Sequence, residues 1–383
     1  MINSITLQNF KCFNEPTKFT FSKMNLLTGI NGRGKSSLLQ SLLILSQTIR
    51  KGSFHEQLLL NGELVTLGNY DDIKNSDTPK NEDIQISIET DIAAIKNIKA
   101  AFNENEKDYL LATTKSFEVT SEDGKVVPFD LHTYSTNRDQ YFPLIFLLRK
   151  IHFVSADRLG PTNYVEKANL PDFVSVGREG EHTINILSNY DELVNDKLYL
   201  GNDAKTLIQQ TEEWLNYILT GTQIKIQGKE KESSVLSLLY NAKRNSSYHY
   251  KSTNVGFGFS YILPLIVTGL IAQPGEIVII ENPEAHLHPQ AQSRITEFFA
   301  KVATCGIQIF IESHSEHILN GFRVCALRPE ISLSNRDISI LYFNDDFSNQ
   351  SLSIDDKGKI ANWPQGFFDQ QEIDLSNIFK LSH

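Results

Sequence analysis

The chain has 383 residues, 40% hydrophobic and 21% charged, with 21 glycines and 12 prolines; this excludes a disordered chain and is too long for one ordinary core, so two or three lobes are expected. A net charge of −10 excludes broad coating by nucleic acid and leaves DNA only a local patch, a partner or an oligomer's inner face. Three scattered cysteines, Cys12, Cys305 and Cys325, carry no metal or disulfide spacing, MINSITLQNFKCF has no signal-peptide core, and no run of about 18 apolar residues occurs, so a cytoplasmic chain without a membrane span is expected.

In chain order, ITLQNF, KFTF and MNLLTG read as strands of one sheet. They lead into GINGRGKSS (29–37), where Gly29, Gly34, Lys35 and Ser36 fit the phosphate-loop pattern G-x-x-x-x-G-K-[ST]. The following SSLLQSLLILSQTI has the apolar richness of a helix. Strand, glycine turn and helix is the arrangement the loop needs: inward backbone N–H groups, a helix N-terminus, and no Cβ in the way of the anion. Asn31, Gly32, Arg33, Gly34, Lys35, Ser36 and Ser37 are therefore candidate nucleotide contacts, with Lys35 placed for the β- and γ-phosphates of ATP and the Ser36 hydroxyl for Mg²⁺.

Segments 84–92 and 117–131 carry β-formers, with Asp123-Gly124 as a hairpin turn, and predict an antiparallel layer flanking the nucleotide site. KIHFVSADRLGP reads as a buried strand ending at Arg158, a side chain that either reaches a phosphate or pairs locally. Residues 181–219 are mostly helical, and TQIKIQ with SSYHYKS predicts an edge hairpin. The second half returns to α/β, with the non-alternating strands EIVIIEN and IQIFIES typical of a sheet covered on both faces.

The apolar strand ending in Glu281 has Walker B character and makes that acid a magnesium candidate alongside Ser36. Asn282, Pro283 and Glu284 follow; His286 and His288 lack further ligands at metal spacing, and Pro289 reads as a helix start. His314, just past the next strand, can donate to a γ-phosphate or hold the attacking water. In STNVGFGFSYILPLI, two glycines and a serine precede an apolar helix, a second N-terminus able to meet an anion, here a phosphate bound by another subunit.

This order of motifs resembles the ATP-binding-cassette heads of the SMC, RecF and OLD ATPases. The resemblance implies an α/β ABC-ATPase head, a P-loop NTPase, with an antiparallel β-layer and a helical insertion. Residues 1–75 and 251–330 would form its two halves, 76–250 the β-layer and insertion, and 331–383 a C-terminal extension. It further implies ATP held between two heads, with Gly256, Gly258 and Ser260 as the signature element facing the partner's nucleotide, His314 as the switch histidine, and NFKCF, with Lys11 and Phe13, beside the adenine. NVGFGFSYILPLIV, IIENPEAHLHPQAQS, IESHSEHILNG and KGKIANWPQGFFDQ together look like small bacterial OLD-like ATPases without a nuclease domain. These include the Septu type of anti-phage ATPase, which implies a homodimer or larger homo-oligomer and an HNH nuclease partner. Such heads usually end Walker B with Asp-Glu; here the pair is Glu281-Asn282, and an amide cannot accept the water's proton. General-base help is about a 10²- to 10⁴-fold effect, so slow hydrolysis is expected, with Glu284 as a substitute base of uncertain geometry. The alternatives are a RecF-type DNA-repair head acting on DNA directly, and a scaffold that holds ATP without turnover. The Mg²⁺-sensing glutamine stays open among Gln40, Gln47 and Gln57.

Overall fold

The computed structural model describes residues 1–52, 54–93, 95–129, 138–190, 192–201, 205–241, 248–364 and 367–382, with the side chains of 138–141 and 371–372 left aside. Residues 130–131, 246–247 and 365–366 of the segments discussed above lie outside it.

Two sheets with different sequence habits dominate. A six-stranded sheet runs in the order β17 (Asn349–Leu352), β16 (Ile338–Phe343), β3 (Met24–Gly29), β15 (Gln308–Glu312), β14 (Ile277–Glu281), β9 (Ile151–Val154). It is parallel except for the β16–β17 pair. Apart from the edge strand β17, its strands are buried on both faces, which is why β14 and β15 read as unbroken Val/Ile/Phe runs. Val278 and Ile280 point into one core; Ile277 and Ile279 point into the other.

The antiparallel sheet runs β2 (Thr17–Thr20), β1 (Ile2–Gln8), β5 (Ile84–Thr90), β6 (Asn97–Glu104), β7 (Leu111–Thr120), β4 (Gln57–Leu59), with β8 (Val126–Pro128) on β7. Here burial alternates; in β5 Ile84, Ile86 and Ile88 face inward and Gln85, Ser87 and Glu89 outward. The expectation that ITLQNF, KFTF and MNLLTG share one sheet is corrected: β1 and β2 join this layer, and only β3 enters the parallel sheet. Lone alternation reports one wet face, not which sheet a strand joins. A third sheet comprises β10 (Val165–Glu166), β12 (Val235–Asn241) and β11 (Gln223–Gln227), with β13 (Tyr250–Lys251) on β12. TQIKIQ thus pairs with VLSLLYN rather than mainly with the 246–252 segment.

The helices are α1 (Lys35–Lys51), α2 (Tyr70–Ile73), α3 (Arg138–Arg149), α4 (Thr183–Asn189), α5 (Leu207–Leu219), α6 (Phe257–Ile271), α7 (Pro289–Thr304), α8 (Glu316–Leu327) and α9 (Gln370–Leu381). Helix α1 lies between the two large sheets, so Leu38, Leu39, Leu42 and Leu43 are all buried. Helices α4 to α8 cover the opposite face of the parallel sheet around Trp214, Phe298 and Phe322. The result places the carboxyl ends of β3, β15, β14 and β9 side by side, the end of an open α/β sheet where ligands bind.

Candidate functional site

The loop after β3 depends on two glycines. Gly29 has φ +123°, and a Cβ there would lie 2.4 Å from the Phe343 carbonyl oxygen on β16. Gly34 has φ +103°, and a Cβ would lie 2.6 Å from Phe13 Cζ and 2.9 Å from Cys12 Sγ. Both positions combine a left-handed backbone with close approach, so only glycine is tolerated. Phe13, expected beside the adenine, is instead 2% exposed and supports the loop from beneath. Lys11 does reach the same cavity: it sits in a tight turn (φ +50°) and its ammonium donates to Gln40 Oε1. Burial lowers the Lys11 ammonium below its ordinary value.

A cavity of about 470 Å³ is lined by Lys11, Asn31, Gly32, Lys35, Ser36 and Glu312, among others. Lys35 Nζ donates to the loop's own Gly29 (3.1 Å) and Ile30 (2.7 Å) carbonyls. Burial pushes its ammonium down, and the Glu312 carboxylate opposes that shift. Arg33 does not point freely at the cavity: its guanidinium stacks on Phe347 at 4.8 Å. Of the three glutamines left open, Gln40 lines the cavity. Gln47 is spent on Leu59 and Val65 backbone groups, and Gln57 sits in the antiparallel sheet.

Glu312 ends β15, the strand between β3 and β14, and both its oxygens accept from Ser36 Oγ at 3.0–3.1 Å. Its pKa is pushed up to about 7, first by burial, then by the Glu281 carboxylate, with Ser36 and Lys35 opposing. Glu281 ends the neighbouring strand in register with Glu312; its Oε2 accepts from Ala156 N at 3.1 Å, and burial raises its pKa. Glu312 therefore faces Lys35 and Ser36, with the Glu281 carboxylate beside it at the adjacent strand end. Glu312 was missed because IFIES reads as an apolar strand followed by a serine, while its partner Ser36 is 276 residues away.

Asn282 has a left-handed backbone (φ +45°), and its N–H donates to the Glu312 carbonyl at 2.8 Å. Glu284 Oε1 accepts from His314 N at 2.9 Å, so the two turns are tied together. His314 is exposed and also lines a second cavity of about 250 Å³ with Asn31, Tyr342 and Phe367. Partial desolvation, then the Lys35 ammonium, lower its imidazole below the ordinary histidine value. His288 caps α7, its Nδ1 accepting from Gln290 N at 3.4 Å, and Pro289 is the first helical residue. Among the described residues no group of three or more His, Cys, Asp or Glu side chains can hold a metal unaided. Magnesium would need Ser36, the strand-end acids and phosphate oxygens together, its usual manner of binding.

Arg158, left undecided above, is 4% exposed and pairs with backbone. Its Nη1 donates to the Ser155 (3.0 Å) and Glu281 (2.8 Å) carbonyls, and its Nη2 to the Asn282 carbonyl (2.7 Å). Its guanidinium stacks on Tyr261 of α6 at 5.4 Å, and Tyr261 stacks on His286 at 4.6 Å.

The glycine-rich helix start is partly different from its sequence reading. Only Gly256 precedes α6, as its N-cap without a side-chain bond; Gly258 and Ser260 already lie in its first turn. Gly256 and Phe257 are exposed, whereas a Cβ on Gly258 would lie 2.9 Å from the His286 carbonyl oxygen. Ser260 is half-buried and lines an internal pocket with Tyr240. The open N–H groups at this end thus belong to backbone, not to the serine hydroxyl.

Residues 24–320 match the family described as "AAA domain, putative AbiEii toxin, Type IV TA system". Residues 333–378 match a family described as "Protein of unknown function (DUF3696)". No curated protein matches the chain. Among solved structures, the SmcHead bound to the C-winged helix domain of ScpA is 12% identical, with a TM-score of 0.50 over 92% of this chain and 97% of that one. The SMC head domain from Thermotoga maritima is 10% identical (TM-score 0.42; 92% and 99% covered). The Smc head with an extended coiled coil from Pyrococcus furiosus, bound to the C-terminal domain of ScpA, is also 10% identical (TM-score 0.48; 98% and 99% covered). No helix among the described residues is long and apolar enough to cross a membrane. The chain belongs to the AAA-domain family described as putative AbiEii toxins of type IV toxin–antitoxin systems, and its fold is that of an SMC-head-like P-loop ATPase.

Proposed function

We propose that this chain binds Mg²⁺–ATP at the loop between β3 and α1, pairs with a second copy around that nucleotide, and uses the nucleotide state to govern a partner nuclease in bacterial anti-phage defence. The observation that carries the reading is the meeting of Lys35, Ser36 and Glu312 around one cavity at the carboxyl edge of the parallel sheet, with Glu281 beside Glu312 on the neighbouring strand. The residues fit the group. Among the described residues the Lys35 ammonium has two neutral carbonyls as its hydrogen-bond partners, an anion would give it a charged partner, and the glycine turn leaves the backbone open.

In this reading the Asn31–Ser37 backbone and Lys35 hold the phosphates, and Lys11 and Gln40 border the nucleoside side. Ser36, Glu281 and Glu312 would hold magnesium, which supplies charge neutralisation at the phosphate oxygens. The exposed Gly256–Phe257 end of α6 faces the nucleotide of the other copy, and His314 orients water or the terminal phosphate. Asn282 supplies no base, so hydrolysis is slow and binding sets assembly; Glu284, whose Oε1 accepts from His314 N while its Oε2 has no hydrogen-bond partner, is the remaining carboxylate of this turn. The anti-phage role and HNH partner rest on the sequence's similarity to the Septu ATPase PtuA. A partner contact is supported by α9, which exposes Ile373, Leu375, Ile378, Phe379 and Leu381.

The experiment is multiple-turnover ATPase assay with mass measurement with and without ATP. Slow turnover, ATP-dependent dimer mass, and loss of both in Lys35→Ala are expected. Brisk turnover that Lys35→Ala abolishes and Asn282→Ala leaves untouched rejects the slow switch. Co-expression with a neighbouring HNH open reading frame tests the partner.

A further inference from the structure

A second basic cavity, of about 250 Å³, lies away from the loop, along β9, the edge strand of the parallel sheet. Arg50 from the end of α1, Arg149 before β9, and Arg178 and His182 from the segment covering β9 all line it. Arg50 donates to the Arg149 (3.1 Å) and Ile151 (2.6 Å) carbonyls, which occupies two of its five N–H donors. It stacks on Phe173 at 4.8 Å, and Lys150 Nζ approaches the same ring at 4.6 Å. The Nε of Arg178 is buried with no hydrogen-bond partner.

The charge is unbalanced. Two glutamates also line the cavity, Glu63, which pairs with Lys51 at 3.3 Å, and Glu181, which accepts from Glu179 N at 2.9 Å and lies 3.9 Å from His182 Nε2, so three guanidiniums face two carboxylates. Among the described residues, Arg50, Arg149 and Arg178 make no ion pair with a carboxylate. Burial lowers the Arg50 pKa to about 10; the Glu63 carboxylate opposes the shift and the Arg149 charge adds to it. Three guanidiniums drawn around one cleft against two carboxylates leave net positive charge there, which an anionic group would offset. Guanidinium forks match phosphate geometry. The volume admits a phosphate with a sugar-sized appendage and excludes a duplex.

We propose that this cleft is a binding site for a terminal phosphate, a phosphomonoester borne by a small ligand or by the end of a single strand. The site stands independently of ATP at the loop. It borders the first site, because Arg178 O accepts from Ser155 N (2.9 Å) one residue before the Ala156 amide that holds Glu281.

The test is titration calorimetry on the full chain carrying Lys35→Ala, which removes the loop's lysine, with wild type in parallel. The probes are inorganic phosphate, a nucleoside 5′-monophosphate, and a short single-stranded oligonucleotide with a 5′-phosphate or a 5′-hydroxyl. We expect binding of phosphate-ended probes in both backgrounds, weakened about tenfold or more by Arg178→Gln or Arg149→Gln. Tighter binding of the monophosphate or of the phosphorylated strand identifies the source. Absence of binding at millimolar probe overturns the proposal. So does equal binding of the 5′-hydroxyl strand, or unchanged binding in an Arg149→Gln/Arg178→Gln variant whose melting temperature matches its parent's. Loss of ATP binding in Lys35→Ala with this second affinity retained separates the two sites; loss of both assigns the phosphate to the loop and overturns the proposal.

Discussion

The two large sheets come from one chain yet serve opposite ends. In the parallel sheet β14 is buried at four successive positions, Ile277 to Ile280; in the antiparallel layer β5 alternates buried isoleucines with Gln85, Ser87 and Glu89. The central strands of the first have no wet face, so they meet solvent at their ends, where Gly29, Glu281 and Glu312 lie. The second is wet along its length and forms a wall behind α1. Position in a sheet, rather than residue type, decides whether a glutamate acts: Glu89 pairs with Lys18 on an open face, whereas Glu312 meets Ser36 under cover.

The contrast can be broken by mutation. Phe310→Ala, in β15 with 0% exposure and an edge contact to Phe21 at 4.9 Å, should cost about 3–5 kcal/mol in denaturant unfolding. Lys35→Ala should weaken ATP binding by about 100-fold, measured by fluorescent-nucleotide displacement, with the melting temperature little changed. Equal nucleotide affinity in that variant would remove the parallel edge's claim to the ligand.

Glu312→Gln sharpens the same comparison through pH. The folded chain raises this carboxyl to about 7 from 4.5, so it binds a proton that the unfolded chain has released. Its unfavourable contribution is absent below pH about 4.5, grows as pH rises to about 7, and is constant above. In nucleotide-free protein with chelator, Glu312→Gln should be more stable than wild type at pH 8 by on the order of 2 kcal/mol, with the two curves converging towards pH 4.5. A constant gap across that range would show the carboxylate is not strained by its surroundings. Last, Lys115→Ala breaks an ion pair to Asp83 (2.7 Å) on the antiparallel layer, where Lys115 is 58% exposed. It should cost under about 1 kcal/mol in thermal melts; a loss comparable to Phe310→Ala would erase the distinction between the sheets.

Much of the site was legible because its parts are local. The glycine spacing, Lys35 and Ser36 are contiguous, and the strand and helix around them have opposite periodicities. Glu281 was readable as the last residue of an apolar strand. What escaped depends on distant pairing. That β15 inserts between β3 and β14, bringing Glu312 to Ser36, follows from sheet order, which no window of sequence encodes. Ser260 and Phe13 were assigned outward roles because the sequence does not show which way a first-turn serine or a turn phenylalanine points; Ser260 lines a pocket with Tyr240, and Phe13 packs beneath Gly34. Arg158 was ambiguous because its partners are carbonyl oxygens, which carry no side-chain signature.

Gly258 leaves no gap between α6 and the His286 carbonyl, and one guanidinium spans from Tyr261 to the carbonyls of Glu281 and Asn282. The start of the helix and the acidic turn are therefore held against each other directly, by one backbone contact and one guanidinium, so a substitution that displaces either contact should shift the other element as well.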